Sequence, residues 1–239
     1  MRDKNAENRV IVSCKNVTKR YDAKAVLKLV SLEIRRGEIV CVLGESGGGK
    51  TTLLNLLARI DAPSDGEICW SEKNGKLPVV SYAFQEPLLL PNLSALKNLT
   101  FVGGDVERCK ALLAEANLSY AENRRPSALS GGEKQRVSLL RAFIPTFDLL
   151  LADEPFSALD PVAKERMIAA FERRVKGENG EQNDAAAVFV THSVKEALRL
   201  ADRIVVIKDG EIACEEGVDR ENEEAMQVLK ARVAAVLTD

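Results

Sequence analysis

The chain has 239 residues, of which 46% are hydrophobic and 29% are charged, and this balance is ordinary for a globular protein with a sizeable core. A net charge of -2 provides no basic field for nucleic-acid phosphates, and residues 1–8 are too polar for a secretory signal. No apolar run approaches the roughly 18 residues needed to cross a bilayer, so work at a membrane would require another subunit to supply the span.

The chain opens with strand patterns. Apolar and polar residues alternate at Ile11–Cys14 and Leu32–Ile34 with turn residues between them, which predicts an antiparallel β-meander. Tyr21 falls in its first turn, where packing is the ordinary use of an aromatic side chain. The run Glu38–Leu43 is short and almost wholly apolar, as is typical of a parallel strand buried on both faces.

A glycine-rich loop follows that strand and leads into an apolar helical stretch, Thr51–Leu57. Two glycines bracket four residues and precede Lys and Thr, which is the pattern of a phosphate-binding loop. The backbone N–H groups of such a loop and the helix N-terminus hold phosphate. Lys50 is expected to reach the β- and γ-phosphates, and Thr51 to bind Mg²⁺. The residues of this loop predicted to bind the nucleotide are Gly44, Glu45, Ser46, Gly47, Gly48, Gly49, Lys50, Thr51 and Thr52.

A second apolar strand pattern ends just before a glutamine. Glu67–Trp70 and a turn at Lys73–Gly75 first predict a hairpin-like extension of the sheet. The strand Val79–Phe84 follows, and Gln85 comes directly after it. Ligands bind at the carboxyl ends of strands in open α/β sheets, so Gln85 is a candidate ligand residue. An ordinary loop amide is the alternative.

Helical spacing replaces strand patterns from Pro91 to Arg125, which predicts a small helical insert that delivers Leu129–Gly132. Ser130 is followed three residues later by Glu133, so one interpretation is a capping box at an ordinary helix start. The other is a second phosphate-contacting loop. One chain does not need two such loops for one phosphate, so the second is expected to serve a nucleotide held by another copy.

Two carboxylates follow the buried strand Asp148–Ala152. Side chains alternate at a strand end, so at least one of Asp153 and Glu154 is expected to face a site. In a phosphate-cleaving enzyme Asp153 would hold Mg²⁺ through water, and Glu154 would orient and deprotonate the attacking water. Asp160 is expected to cap a helix that begins at Pro161.

The strand Ala187–Val190 leads to His192, the single histidine of the chain. It lies at the same predicted sheet edge as Gln85 and Asp153. Ser193 and Glu196 then have the spacing of a second capping box. The remaining predicted elements are a polar loop at Gly177–Asp184, a hairpin over Ile204–Cys214 and an amphipathic C-terminal helix around Met226–Val236.

These motifs, in this order, resemble the ATP-binding cassette of ABC transporters over about Val10 to Gly217. The matching stretches are Gly44–Thr51 for the Walker A motif, Gln85 for the Q-loop glutamine, Leu129–Gln135 for the signature, Leu149–Glu154 for Walker B, Ser157–Asp160 for the D-loop and His192 for the switch histidine.

The resemblance implies an α/β fold of the P-loop NTPase class, with a RecA-like core around a mixed parallel sheet, an N-terminal antiparallel β-subdomain and a small helical subdomain. Residues 1–239 are expected to form one nucleotide-binding domain, with the helical subdomain at about 88–145. In this family an aromatic residue at the position of Tyr21 stacks on adenine. The resemblance also implies that Gln85 joins Thr51 and Asp153 at the metal, and that His192 acts with Glu154 in catalysis.

A head-to-tail dimer is also implied, in which Ser130, Gly131, Gly132 and Asp160 contact the nucleotide held by the other copy. The expected cofactors are ATP and Mg²⁺. The expected partners are a second copy, integral membrane permease subunits that touch Gln85 and the helical insert, and an extracytoplasmic substrate-binding protein. No nucleic-acid partner is expected, and the expected location is the cytoplasmic face of the cell membrane.

The leading hypothesis is therefore the ATPase subunit of a bacterial importer. The alternatives are a soluble ABC ATPase of translation or DNA maintenance, and a cassette that serves lipoprotein release or cell division. The stretch Phe84–Pro91 is similar to importers of the nitrate, sulfonate and taurine group. Three features depart from the family pattern: Ala152 replaces a bulky aliphatic residue, Arg59 replaces a glycine, and the insert after Gln85 is short.

Overall fold

The computed structural model of the chain describes residues 10–72, 75–177 and 184–238. Its strands are β1 (Val10–Tyr21), β2 (Lys24–Arg35), β3 (Ile39–Gly44), β4 (Asp65–Trp70), β5 (Val80–Ala83), β6 (Leu149–Asp153), β7 (Ala186–Val190), β8 (Arg203–Lys208) and β9 (Glu211–Gly217). Its α-helices are α1 (Lys50–Leu57), α2 (Ala95–Thr100), α3 (Val106–Glu115), α4 (Gly131–Phe143), α5 (Pro161–Lys176), α6 (Val194–Leu200) and α7 (Glu223–Thr238). Within these ranges no helix is both long and apolar enough to cross a membrane.

Two separate sheets form, as the predicted fold class requires. The larger has the strand order β5-β6-β7-β3-β8-β9, in which β5 to β8 run parallel and β9 returns antiparallel to β8. The smaller is antiparallel, with the order β2-β1-β4. The mixed core sheet, the N-terminal antiparallel sheet and the terminal hairpin are therefore confirmed.

The predicted hairpin after Trp70 is wrong in its pairing. β4 pairs antiparallel with β1, with Cys14 opposite Ile68, and so completes the small sheet. The next strand, β5, lies at the edge of the large sheet beside β6. The partner of β4 is thus a strand about fifty residues earlier, which local turn signals could not indicate. Lys73 and Asn74 of the predicted turn lie outside the described residues, as do residues 178–183 of the predicted polar loop and residues 1–8.

The strand β3 explains why its sequence is apolar without a break. Ile39, Cys41 and Leu43 point into a core between the large sheet and the helices α4, α5 and α6. Val40 and Val42 point into a second core, which lies between the two sheets and includes α1. Alternate side chains of one strand therefore enter different cores, and no position on it faces water.

The two unusual residues are accommodated locally. Ala152 is fully buried and pairs with Ala83 on one side and Phe189 on the other, so the Phe189 ring lies beside the small side chain. Arg59 follows the end of α1 with a φ of 58°, in the left-handed region where glycine is favoured. Its guanidinium donates to the Pro78 carbonyl at 2.7 Å and lies 4.7 Å from the Trp70 ring centroid. These contacts offset the backbone strain.

Phe171 is the centre of an aromatic cluster that holds α5 against the large sheet. Its ring lies about 6 Å, edge to face, from three others, at centroid distances of 6.0 Å from Phe143, 5.9 Å from Phe156 and 6.0 Å from Phe189. The ring is fully buried. Phe171 is the largest of the buried side chains of α5, so its packing helps to hold the helix against the sheet.

We expect Phe171→Ala to lower the free energy of unfolding by about 3–5 kcal/mol, since the substitution leaves a cavity that surrounding rings cannot fill. Urea denaturation monitored by circular dichroism measures the loss. Phe101→Ala is the matched control, because the Phe101 side chain is 68% exposed and should change stability by at most about 0.5 kcal/mol. A loss below about 1 kcal/mol for Phe171→Ala would contradict the central role of this ring.

Candidate active site

The strand order places four predicted site segments at one edge of the large sheet. β5, β6, β7 and β3 are neighbours and run parallel, so their carboxyl ends lie side by side. Gln85 follows β5, Glu154 follows β6, His192 follows β7 and the glycine-rich loop follows β3. Residues separated by more than 140 positions in the chain are brought together in this way.

A cavity of about 210 Å³ lies at this edge. Ten of the eleven residues that line it were predicted from the sequence; they are Ser46, Gly47, Gly49, Lys50, Thr51, Thr52, Gln85, Asp153, Glu154 and His192. The eleventh is Val26 of β2. An apolar residue in a strand has the signature of core packing, so no feature of the sequence distinguished Val26.

The glycine-rich loop has a conformation that only glycine supports at two positions. Gly44 has a φ of 153°, and a Cβ there would lie 2.2 Å from the Ile207 carbonyl oxygen. Gly49 has a φ of 96°, and a Cβ there would lie 2.7 Å from the Val26 carbonyl oxygen. Gly49 also precedes the first residue of α1 and provides no side-chain cap. The N–H groups of the first turn therefore remain available to an anion.

Lys50 is buried and folded back onto the loop. Its Nζ donates to the carbonyl oxygens of Gly44 at 2.9 Å and Glu45 at 2.6 Å. Burial lowers the pKa of the Lys50 ammonium, while the carboxylates of Glu154 and Asp153 act in the opposite direction. The loop carbonyls satisfy a cation that would otherwise be buried without a partner.

Asp153 is buried beside the start of α1. Its Oδ2 accepts a hydrogen bond of 2.6 Å from the Thr51 hydroxyl, whereas its Oδ1 has no hydrogen-bond partner among the described residues. Burial raises the pKa of the Asp153 carboxyl above its usual range. An unpartnered carboxylate oxygen next to a hydroxyl is a donor set of the hard, oxygen type that Mg²⁺ takes. Within the described ranges no three His, Cys, Asp or Glu side chains gather into a metal cluster.

Glu154 leaves the strand with a φ of 47°, in the left-handed region. This turn breaks the alternation expected of adjacent residues, so both Asp153 and Glu154 line the cavity. The Glu154 N–H donates to the Val190 carbonyl at 3.0 Å, which fixes the turn against β7. Its Oε1 lies 2.7 Å from the His192 Nε2. The two proposed catalytic side chains are thus already paired.

Tyr21 ends β1, and its ring is 45% exposed. Its hydroxyl donates to the Asp61 Oδ2 at 2.8 Å, and this hydrogen bond raises the pKa of the Tyr21 phenol. The Lys19 Nζ lies 5.0 Å from the ring centroid and also bonds Asp61 at 2.6 Å. Thr52, at the start of α1, interacts with the same hydroxyl. The aromatic residue is therefore held next to the phosphate-binding loop.

The other side of the glycine-rich loop borders a second cavity of about 260 Å³. Three of the predicted loop residues do not line the first cavity: Gly44, Glu45 and Gly48. Of these, Glu45 and Gly48 line the second cavity. Three lysines that the sequence did not single out also line it, namely Lys24, Lys28 and Lys208. The loop is therefore accessible from two sides.

The second predicted loop does not line the 210 Å³ cavity of its own chain. The described residues that line that cavity do not include Ser130, Gly131, Gly132 or Asp160. Ser130 and Glu133 form a complete capping box at the start of α4. The Ser130 N–H donates to the Glu133 Oε2 at 2.6 Å, and the Glu133 N–H donates to the Ser130 Oγ at 3.2 Å. A Cβ on Gly131 would meet nothing within 4 Å, so this surface is open. Asp160 caps α5 through two N–H bonds of 3.0 Å, as predicted.

The second predicted capping box is only half formed. Ser193 accepts from the Glu196 N–H at 3.3 Å, but the Glu196 carboxylate does not return to Ser193. It accepts instead from the Thr191 hydroxyl and from Lys164. The Ser193 N–H is satisfied by the Thr191 Oγ1 at 3.1 Å. A cation from a distant helix thus changes the role that local spacing assigned to Glu196.

Residues 27–157 match the ABC transporter family. The Aliphatic sulfonates import ATP-binding protein SsuB 1 of Pseudomonas syringae pv. tomato is 38% identical over 235 residues, which cover 95% of this chain and 83% of that protein. The Fe(3+) ions import ATP-binding protein FbpC 2 of Haemophilus influenzae is 36% identical over 222 residues, which cover 86% of this chain and 61% of that protein.

A solved structure is also similar to this chain. The ATP-binding cassette MJ0796, solved as a dimer in a post-hydrolysis state bound to ADP and Pi, superposes with a TM-score of 0.76 at 31% identity. The match covers 87% of this chain and 99% of that one.

We expect Asp153→Asn to stabilise the nucleotide-free chain by about 1 kcal/mol at pH 8, because it removes a buried charge with an unpartnered oxygen. A carboxyl whose pKa is raised by folding stabilises the protein fully below its unfolded pKa and loses that contribution as pH rises through its folded pKa. The free energy of unfolding of Asp153→Asn should therefore exceed that of the parent by an amount that grows with pH and vanishes in acid. Urea denaturation between pH 4 and 8 measures it.

Asp61→Asn is the control with the opposite sign. Hydrogen bonds from Lys19 and Tyr21 lower the pKa of the Asp61 carboxyl, so its contribution to stability is present above its unfolded pKa and is lost as pH falls through the folded pKa. This variant should lose stability at pH 8. An Asp153→Asn protein that is also less stable than the parent at pH 8 would show that the carboxylate is not unfavourable in its site.

Proposed function

The chain belongs to the ABC transporter family and is an ATP-hydrolysing cassette, and from that premise we propose that it is the ATPase subunit of a bacterial importer. The observation that carries the proposal is the cavity in which the glycine-rich loop, Asp153, Glu154 and His192 meet. The names of the similar proteins favour import over the soluble, lipoprotein-release and cell-division alternatives.

Nucleotide binding would begin at the loop. The free N–H groups at the start of α1 and the Lys50 ammonium hold the β- and γ-phosphates. Lys50 must first leave the carbonyls of Gly44 and Glu45, so phosphate oxygens replace contacts that are already made. Tyr21, fixed by Asp61, provides the face on which adenine stacks. Ser46, Gly47 and Thr52 complete the walls of the phosphate site.

Thr51, Gln85 and Asp153 would hold Mg²⁺ with the nucleotide, since all three line the cavity and offer oxygen ligands. When bound, the cation neutralises negative charge on the phosphate oxygens. The Thr51 hydroxyl could keep its hydrogen bond to Asp153 and offer an oxygen lone pair to the cation. The orphaned Oδ1 of Asp153 is free to accept a water of the metal shell without breaking any contact.

Glu154 would act as the general base. Its carboxylate is held at one oxygen by His192, which leaves the second oxygen to accept a proton from the attacking water. His192 donates its Nε2–H to Glu154 and thereby fixes the direction of the carboxylate. The carboxylate and the phosphate-binding loop share one cavity, so a water between Glu154 and a γ-phosphate bound at the loop would be within reach of the base.

A second copy would complete the site. Ser130 and Gly131 are exposed, and with Gly132 and Asp160 they lie outside the cavity of their own chain. We assign them to the γ-phosphate held by the partner in a head-to-tail dimer. A contact made only when two copies meet ties hydrolysis to closure. The similar cassette MJ0796 was solved as a dimer, which supports the assembly of two copies.

Transport would require chains that span the membrane, and we propose that these permease subunits dock on Gln85 and the helical subdomain at about 88–145. Leu88 and Phe101 of that segment are apolar and more than half exposed, at 51% and 68%. The cassette then lies on the cytoplasmic face of the membrane, with a substrate-binding protein on the other side. Similarity to a sulfonate importer makes aliphatic sulfonates the first substrates to test.

We expect Glu154→Gln to lower kcat at least about a hundredfold, because the amide cannot take a proton from water. The amide oxygen still accepts from His192, so ATP should bind and hold two copies together. Phosphate release and the ATP-dependent mass in solution measure the two effects. Glu107→Gln is the control, since Glu107 is a fully solvated carboxylate on α3 with a side chain 86% exposed. Hydrolysis by Glu154→Gln at the parent rate would show that another group is the base.

Ser130→Arg should spare ATP binding to the single chain and abolish the ATP-dependent dimer of the Glu154→Gln background, because the bulky cation occupies the open surface. Loss of the N-cap alone costs about 1 kcal/mol. Ser94→Arg removes an equivalent N-cap from α2 and controls for that loss. Fluorescent-nucleotide titration and light scattering provide the readouts. If Ser130→Arg instead loses nucleotide binding as a single chain, the loop belongs to its own active site.

A further inference from the structure

Glu196 is a buried carboxylate beside the His192 turn. The residue is 6% exposed and lies in the first turn of α6. One carboxylate oxygen accepts from the Thr191 hydroxyl at 2.5 Å, and the other accepts from the Lys164 ammonium at 2.7 Å. Both oxygens therefore accept a hydrogen bond, one from the residue before His192 and the other from α5.

The contacts of Glu196 hold the chain on both sides of His192. The Thr191 hydroxyl accepts from the Ser193 N–H at 3.1 Å, so its own proton is left to point at Glu196. The Ser193 hydroxyl in turn accepts from the Glu196 N–H at 3.3 Å. The Glu196 carboxylate thus fixes Thr191 directly. Ser193 is held by the Glu196 main-chain N–H and by the Thr191 hydroxyl, which the carboxylate orients.

The His192 ring itself has little packing to orient it. Its side chain is 45% exposed, and its described polar contact is the 2.7 Å pair with Glu154. The direction of the ring therefore depends on the backbone of the turn that carries it. Since Thr191 is 5% exposed and bonded to the Val42 carbonyl through its N–H, that backbone is held from β3 and from Glu196 together.

Lys164 links this turn to the start of α5. Its N–H donates to the Asp160 carbonyl at 2.8 Å, so it lies one helical turn after the residue that caps α5. The ion pair with Glu196 therefore joins the helix that begins at Asp160 to the helix that follows His192. No other side chain of this size could replace the carboxylate. A glutamine accepts from only one of its two neighbours and turns its amide N–H₂ toward either a hydroxyl proton or an ammonium.

We infer that Glu196 is a positioning residue: it holds His192 against Glu154, and through Lys164 it couples that position to the Asp160 end of α5. The inference rests on the proposed function, in which Glu154 is the base and Asp160 contacts the partner copy. A displacement of Asp160 by the second copy would then reach His192 through Lys164 and Glu196.

Steady-state ATPase assays on the full chain test the inference first. Glu196→Gln should lower kcat about tenfold while the KM for ATP stays within about twofold, because the base is misplaced and the phosphate loop is untouched. Thr191→Val removes only the hydroxyl and should have the same effect, which covers the case in which Glu196→Gln fails to fold.

Nuclear magnetic resonance gives a readout that is independent of hydrolysis. His192 is the single histidine, so one set of ring ¹⁵N and ¹³C signals reports its environment without assignment. Glu196→Gln and Thr191→Val should move these signals toward those of an unrestrained imidazole, and His192→Ala should remove them. Glu172→Gln is the matched control, because it removes an exposed ion pair, with Arg199 at 3.1 Å, between the same two helices. Its ring signals and kcat should equal those of the parent.

Glu196→Gln and Thr191→Val proteins with the ring signals and kcat of the Glu172→Gln control would overturn the inference, provided that His192→Ala is slow. If His192→Ala hydrolyses ATP at the parent rate, or the parent hydrolyses none, the proposed catalytic role fails instead. The ring signals still decide the positioning claim in that case: unchanged signals refute it, and shifted signals sustain it as a structural constraint without a catalytic consequence.

Discussion

Backbone hydrogen bonds between neighbouring parallel strands set the height at which each strand of the large sheet ends. Asp153 lies opposite Val190, the Glu154 N–H donates to the Val190 carbonyl, and the Thr191 N–H donates to the Val42 carbonyl. A slip of one residue in this register would turn each of these side chains to the opposite face. The two apolar cores on either side of β3 oppose such a slip, so the packing of the sheet is what holds the candidate active site together.

Hydrogen bonds among the site residues hold their polar side chains in place. Lys50 bonds the loop carbonyls, Thr51 bonds Asp153, and His192 bonds Glu154. Buried polar groups without partners cost free energy, so these contacts stabilise the site. Among the described residues that line the cavity, Asp153 has a buried oxygen, Oδ1, without a hydrogen-bond partner, and a bound cation could satisfy it without displacing another contact.

The residues proposed to contact the nucleotide of the partner copy have surroundings that differ from those of the cavity residues. Ser130 and Asp160 are exposed helix caps, so each has a structural task in its own chain and a free surface beyond it. Gly132 approaches the Ala158 carbonyl so closely that a Cβ would lie 2.9 Å from it, which packs the start of α4 on the segment before Asp160. The start of α4 and the start of α5, which are proposed to contact the nucleotide of the partner copy, therefore form one surface. Lys164 and Glu196 connect that surface to His192.

The sequence by itself determined the phosphate-binding loop, the carboxylates after β6 and the histidine after β7, because these depend on short spacings and on apolar runs that end at polar residues. The fold class followed from the resemblance of these motifs, in their order, to ABC cassettes. The tertiary structure decided the rest. β4 pairs with a strand far behind it, Val26 becomes a cavity wall, and Glu196 abandons its capping box for Thr191 and Lys164. Each of these outcomes depends on a neighbour that is distant along the chain. Local spacing carries no information about such a neighbour, since burial and charge pairing act between whichever segments the packed sheet brings together.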